Sequence, residues 1–223
     1  MGPFATMAAV LAPPHRAGRP FIVGSIAVAV FGLFLLHWLV FAGLAAALVC
    51  WFFFRDPERV PSPLPGAILA GADGRITHVE LVPPPPELGM SPEPRWRIAT
   101  FLSVLNVHVN RMPAAGTVTS IVYTPGRFLN AADPQAGEAN ERNAIALRLP
   151  DGRDMAVVQI AGLIARRILC DLRVGDAAVR GARFGIIRFG SRTDIFLPPG
   201  VVPVVSVGQT AIGGETVMAL LET

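Results

Sequence analysis

From Phe21 to Phe54 the chain carries no formally charged side chain and is almost wholly apolar. A helix needs about 20 such residues to cross a bilayer, so a run of this length has to meet lipid. The break at His37-Trp38, near its middle, allows one long tilted helix or a hairpin of two short ones. Arg16 and Arg19 precede the run and Arg55 and Arg59 follow it, so a hairpin would keep all four on the cytoplasmic side of a cell membrane. We expect the hairpin. A cleaved signal peptide would have a shorter apolar core nearer the start, followed by a small-residue cleavage site. Residues 1–20 are small, Pro-containing and aperiodic, and read as a flexible lead-in.

Beyond Phe54 the pattern changes. Short β-type runs, among them Gly66 to Ala70, Trp96 to Leu102, Ala144 to Leu149 and Met155 to Ile160, are separated by Pro and Gly. The stretch Pro83 to Pro94 holds six prolines and has to be a surface loop, because proline gives no hydrogen bond to a sheet ladder. Residues 55–223 are therefore expected to form one mainly β domain, a compact barrel or sandwich, with at most a short helix around Gly162 to Arg167.

Composition narrows the chemistry. All 19 basic side chains are Arg and there is no Lys. Pyridoxal phosphate is held on Lys, and lipoyl and biotin groups are attached to Lys, so none of these operates here. Amine chemistry in this chain needs another carbonyl. Cys50 and Cys170 lack the spacing of a metal site or disulfide framework and read as buried reduced thiols, and no metal is implied. The net charge of +3 comes from dispersed arginines, which suits an anionic membrane surface and not nucleic acid.

Four histidines are present. His15 lies in the lead-in and His37 in the apolar run, which leaves His78 and His108 as candidate catalysts. In Asn106-Val107-His108-Val109-Asn110-Arg111-Met112-Pro113, strand alternation would place Asn106, His108 and Asn110 on one face. A hydrogen-bonded strand histidine would leave the same pattern. Asp73, in Gly71-Ala72-Asp73-Gly74, has the chemistry of a hairpin turn. Gly190-Ser191 lies among strand-like residues, and glycine tolerates backbone angles that strain a peptide bond. Gly-Ser pairs are nonetheless common in turns.

In order along the chain, Phe53-Phe54-Arg55-Asp56-Pro57, Ala72-Asp73-Gly74, His108, Met112-Pro113, Tyr123-Thr124-Pro125-Gly126, Asn140-Glu141-Arg142-Asn143, Phe189-Gly190-Ser191-Arg192 and Val207-Gly208-Gln209-Thr210 resemble the short form of the phosphatidylserine decarboxylase family. The resemblance implies that Ser191 attacks the Gly190 carbonyl, cutting the chain into residues 1–190 and 191–223, which stay associated, and leaving Ser191 as a pyruvoyl group. The substrate amine would form a Schiff base on that ketone, and phosphatidylserine would lose carbon dioxide to give phosphatidylethanolamine. By the same resemblance, Asp73 is an orienting carboxylate and His108 an acid or base near Ser191. Longer family members carry a second histidine before Met-Pro where this chain has Arg111, which could hold the lipid phosphate or the substrate carboxylate. Two rivals are a pyruvoyl decarboxylase of a soluble amino acid, which would need no membrane segment, and a non-catalytic membrane-anchored β adaptor.

Overall fold

The computed structural model describes residues 11–131, 133, 136–163, 167–188 and 191–221. The chain divides into two compact units, the first ending at Glu58 and the second running from Arg59.

The first unit is helical. Helix α1 (Arg19–Gly32) starts with proline in its first turn, where a missing N–H costs nothing. Helix α2 (His37–Phe53) follows a break in which Leu36 is extended. The reading as one long helix is therefore overturned. The pieces have 14 and 17 residues, and no helix among the described residues is long and apolar enough to cross a membrane. They approach closely because the contact carries small residues: a Cβ on Gly43 would lie 2.5 Å from the Ala29 nitrogen. Their remaining surface stays apolar, with Phe31, Phe34, Phe41 and Leu48 exposed. The lead-in is folded from residue 11 onward. His15 N–H donates to the Phe54 carbonyl at 2.7 Å and Asp56 N–H to the Pro13 carbonyl at 3.0 Å, which extends this unit past Phe54.

The second unit is mainly β. Its large sheet has eight strands, and its core is five antiparallel neighbours: β2 (Gly74–Val82), β3 (Arg95–Leu102), β11 (Ser191–Phe196), β7 (Asp154–Ala161) and β6 (Arg142–Arg148). Strand β12 (Thr210–Ala211) extends the β2 edge, while β5 (Gly116–Thr124) and β9 (Ala177–Ala178) extend the β6 edge. A three-stranded sheet, β4 (Val109–Arg111), β10 (Arg183–Arg188) and β8 (Arg167–Cys170), and a pair, β1 (Ala67–Leu69) with β13 (Val217–Leu220), complete it. Both faces of the large sheet are covered, which is why its middle strands read as continuous apolar runs. On the inner face Ile98, Ile145, Leu147, Val157 and Ile195 join Ile68, Phe184 and Met218 of the smaller sheets in one core. On the outer face Ala144, Ala156, Val158, Ile160 and Phe196 lie under Leu88 of the proline segment.

Three local expectations change. Arg167 opens strand β8 in place of the predicted short helix, whose residues 164–166 lie outside the described residues. Asp73-Gly74 joins β1 to β2, which belong to different sheets, so the turn is not a hairpin. Gly74 is needed there for room, since a Cβ would come within 2.1 Å of the Phe101 carbonyl oxygen. Cys50 and Cys170 are free thiols but half-buried, and burial pushes the Cys170 thiol up.

The outer face carries a buried ion pair: the Arg192 guanidinium, 0% exposed, donates through Nε and Nη2 to the two Asp194 oxygens at 2.6 Å each. Burial works against the charge on Arg192 and Asp194 outweighs it. Removing one partner strands the other, so Arg192→Ala should cost about 3–5 kcal/mol in urea unfolding, whereas Arg192→Met with Asp194→Leu should recover most of the loss. Equal losses for both variants would show that the pair does not hold this face together.

Candidate active site

Along β11 the side chains alternate. Arg192, Asp194 and Phe196 face outward, and Ser191, Thr193 and Ile195 face the inner core. Ser191 stands at the strand's start, paired with Leu102 of β3 and Ala161 of β7. It follows β10 by two residues, and β10 belongs to the other sheet, so the chain changes sheets at this point. Gly190 and Phe189 lie outside the described residues. The Ser191 side chain is fully buried, and its Oγ has no hydrogen-bond partner among the described residues. A buried hydroxyl without a partner costs about 1–3 kcal/mol, so its retention asks for a chemical reason.

A chain of buried side chains runs toward it. Asn143 Nδ2 donates to Gln159 Oε1 at 3.0 Å, and Gln159 Nε2 to Asn110 Oδ1 at 2.8 Å. Asn110 Nδ2 in turn donates to Thr193 Oγ1 at 3.5 Å. Asn143, Gln159 and Thr193 are register partners across β6, β7 and β11, whereas Asn110 belongs to β4. The chain therefore ties the small sheet to the large one across the core. Two residues before Asn110 stands His108, fully buried, with Nδ1 2.9 Å from the Asn106 carbonyl. Its own carbonyl accepts from Ile187 N–H at 3.4 Å, four residues ahead of Ser191. The structure thus brings His108 and Ser191 to the same end of the core.

Asn106 departs from the expected polar face: its side chain accepts from the Ser103 N–H and hydroxyl at 2.9 and 2.7 Å, closing a turn before β4 begins. Asp73 sits at the same end of the large sheet, two strands from Ser191, because Arg75, Phe101 and Arg192 share a register row. Its carboxylate accepts from Arg59 at 2.7 Å and from Gly213 N–H at 2.8 Å. Arg111 is buried and its guanidinium donates to the Gly181 carbonyl at 3.0 Å. Its backbone N–H reaches Gly71, next to the Asp73 turn.

His78 lies on the outer face, half-buried, with Nδ1 3.0 Å from the Thr77 hydroxyl. A cavity of about 300 Å³ opens on that face as well, between the proline segment and Arg97, Val158, Asp194 and Phe196. The sheet separates both from Ser191. Gln159 was hidden in the sequence, since one amide inside Ala156 to Ala161 reads as part of an apolar run. Its signal was the single polar side chain on a strand buried on both faces.

Fold and site together define a mainly β protein with a buried serine, its Oγ without a partner among the described residues, at a sheet-to-sheet switch. A family model described as phosphatidylserine decarboxylase matches residues 46–219. A protein of Granulibacter bethesdensis named phosphatidylserine decarboxylase proenzyme is 67% identical over 210 residues, covering 94% of this chain and 86% of that one. Proteins of the same name from Gluconacetobacter diazotrophicus and Cereibacter sphaeroides are 61% and 51% identical, over 95% and 93% of this chain and 96% and 89% of theirs. The chain belongs to the phosphatidylserine decarboxylase family.

Two outcomes follow for these side chains. Gln159→Leu removes the Gln159 bonds to Asn110 Oδ1 and Asn143 Nδ2 and should cost about 2–4 kcal/mol in urea unfolding, more than the outward Val158→Ala on the same strand if the amide chain joins the layers. Burial, then Arg192, hold the His78 imidazole below its usual value of 6.5, with Glu80 opposing. The unfolded chain then binds the proton first, so stability should fall as pH drops through 6.5 toward the lower folded value. His78→Asn should flatten that part of a Tm-against-pH curve, and an unchanged slope would place the titration elsewhere.

Proposed function

We propose that the chain decarboxylates phosphatidylserine to phosphatidylethanolamine and carbon dioxide, after cutting itself between Gly190 and Ser191 and converting Ser191 to a pyruvoyl group. The observation that carries this reading is the buried Ser191 Oγ without a partner, at the start of a strand where the chain changes sheets. Family membership, and relatives whose names include the word proenzyme, support it.

In the cut, Ser191 Oγ bonds to the Gly190 carbonyl carbon and the peptide C–N bond breaks, leaving an ester and an amine on residue 191. Loss of the residue 191 α-proton then expels the Gly190 carboxylate. Water converts the resulting dehydroalanine to the keto-acyl end, and ammonia leaves. The site suits such a group: Ser191 is buried, its Oγ lacks a partner among the described residues, and the chain has no Lys to hold an alternative carbonyl cofactor. In place, the pyruvoyl group supplies a ketone that captures the substrate amine and takes up the electrons released with carbon dioxide.

The other roles fall to residues around it. His108 donates from Nδ1 to the Asn106 carbonyl, so its neutral ring carries a lone pair on Nε2 and acts there as base, then acid. Asp73 orients from the same end of the sheet. The carboxylate or phosphate role considered for Arg111 fits less well with a buried guanidinium that already serves Gly181. The helical hairpin associates with the membrane through its exposed apolar faces, at the cytoplasmic side if its flanking arginines set the orientation. Residues 1–190 and 191–223 stay together as a heterodimer.

Intact-mass analysis tests the cut and the cofactor together: purified protein should yield residues 191–223 with a keto-acyl end that resists Edman degradation. Ser191→Ala should stay whole, folded and inactive. An uncut chain that still releases carbon dioxide overturns the mechanism. His108→Ala should lower turnover by about 10²–10⁴-fold while slower cutting still completes during expression. If His108→Ala cuts and turns over normally while His78→Ala fails, the histidine is misassigned.

A further inference from the structure

The end of the second unit that holds Ser191 has an unusual surface. The strands flanking Ser191 end at Leu102 and Ala161. The loops that leave them expose large apolar side chains: Val104 is 47%, Leu105 66% and Leu163 67% accessible. On the neighbouring sheet, Arg167 and Arg188 are antiparallel register partners. Directly opposite side chains lie about 5 Å apart at Cβ, and like charges so placed destabilise a sheet. Burial and then the nearby Arg167 lower the proton affinity of Arg188. Arg188 is three residues from Ser191, so at most about 10 Å separates their Cα atoms. Half-exposed Tyr123 hydrogen-bonds to Glu141 within electrostatic range of Arg167, so one carboxylate lies beside the two guanidinium groups. Apolar tips beside a basic pair and an exposed phenol match the layers of a bilayer surface, where acyl chains lie below anionic headgroups.

We propose that this end of the β unit docks edge-on to an anionic phospholipid surface, with Val104, Leu105 and Leu163 entering the acyl region and Arg167 and Arg188 taking a lipid phosphodiester. This docking rests on the lipid substrate proposed above and would hold a headgroup at the end of the unit where the buried Ser191 lies, without the lipid leaving the bilayer. It also gives the lipid phosphate a partner at the surface, where the buried Arg111 offers none.

The test uses full-length protein in the uncut Ser191→Ala background, so that no turnover is needed. Leu105→Trp is compared with Val174→Trp, an equally exposed position beyond the far end of β8, in vesicles whose acyl chains are brominated. Leu105→Trp should be quenched above the background of the native tryptophans, and Val174→Trp should not. Raising the phosphatidylglycerol fraction should deepen quenching, and Arg167→Gln with Arg188→Gln should reverse this, by about fivefold per arginine in the immersion equilibrium. Inorganic phosphate at millimolar concentration should leave the quenching unchanged, whereas competition by it would assign the pair to a free anion. Equal quenching at the two positions, or none at Leu105→Trp, overturns the docking edge even if the decarboxylase reading stands. Insensitivity to anionic lipid and to the double substitution removes the arginine pair from it. Carbon dioxide release is measured separately on protein that keeps Ser191, and its absence there, with quenching intact in the Ser191→Ala background, would count against the decarboxylase reading alone.

Discussion

The hydrogen bond from Gln159 to Asn110 is the contact on which the site depends. Gln159 belongs to the large sheet and Asn110 to the small one, and between them they replace what would otherwise be apolar packing at that end of the core. A buried amide is costly unless every donor and acceptor is met, and here Asn143, Leu169 and Thr193 complete the set. The result is directional in a way that packing of leucines is not, since only one sliding position of β4 over β7 and β11 satisfies it. His108 and Ser191 each sit two residues from a member of the chain. Their separation is thus inherited from the amides.

The outer face shows a different solution to the same difficulty. Arg192 follows Ser191 immediately and has to point away from it, so its charge is buried under α3 (Ala136–Ala139) and needs Asp194 two residues on. That ion pair leaves the inner face of the strand to hydroxyls and amides. Alternation along this strand therefore puts the Arg192–Asp194 pair on one face and Ser191 on the other, where the proposed reaction would take place. Low polarity there strengthens each hydrogen bond offered to a developing charge.

Much of this could be read from local pattern. The strands over Trp96 to Leu102 and Met155 to Ile160 follow from β-branched and aromatic runs between turns, and they extend by only a residue or two in the structure. The proline segment was legible for the same reason. What escaped were relations between distant residues. Asn106 was grouped with His108 by alternation, yet the turn at Ser103 claimed its side chain. The Asp73 turn carried hairpin chemistry, but β1 found its partner in β13 at the far end of the chain. Arg111 was read as a ligand group, and its bond to the Gly181 carbonyl, 70 residues on, lay outside any local pattern. In each case the residue type was informative and its partner lay beyond any local window.

The placement of β11 has one more effect. Every strand after position 190 pairs with strands that precede it: β11 with β3 and β7, β12 with β2, and β13 with β1. Whole, the chain folds in a first-order process, because the last segment is tethered to the slot it fills. Once severed at Ser191, the same insertion becomes second-order, and the slot lies at the centre of the large sheet with neighbours on both sides. The small piece cannot slip out without opening two ladders, nor readily find its way back at low concentration. If the chain is cut there as proposed, unfolding would become a one-way event, and the cut molecule would endure by slow escape more than by depth of equilibrium.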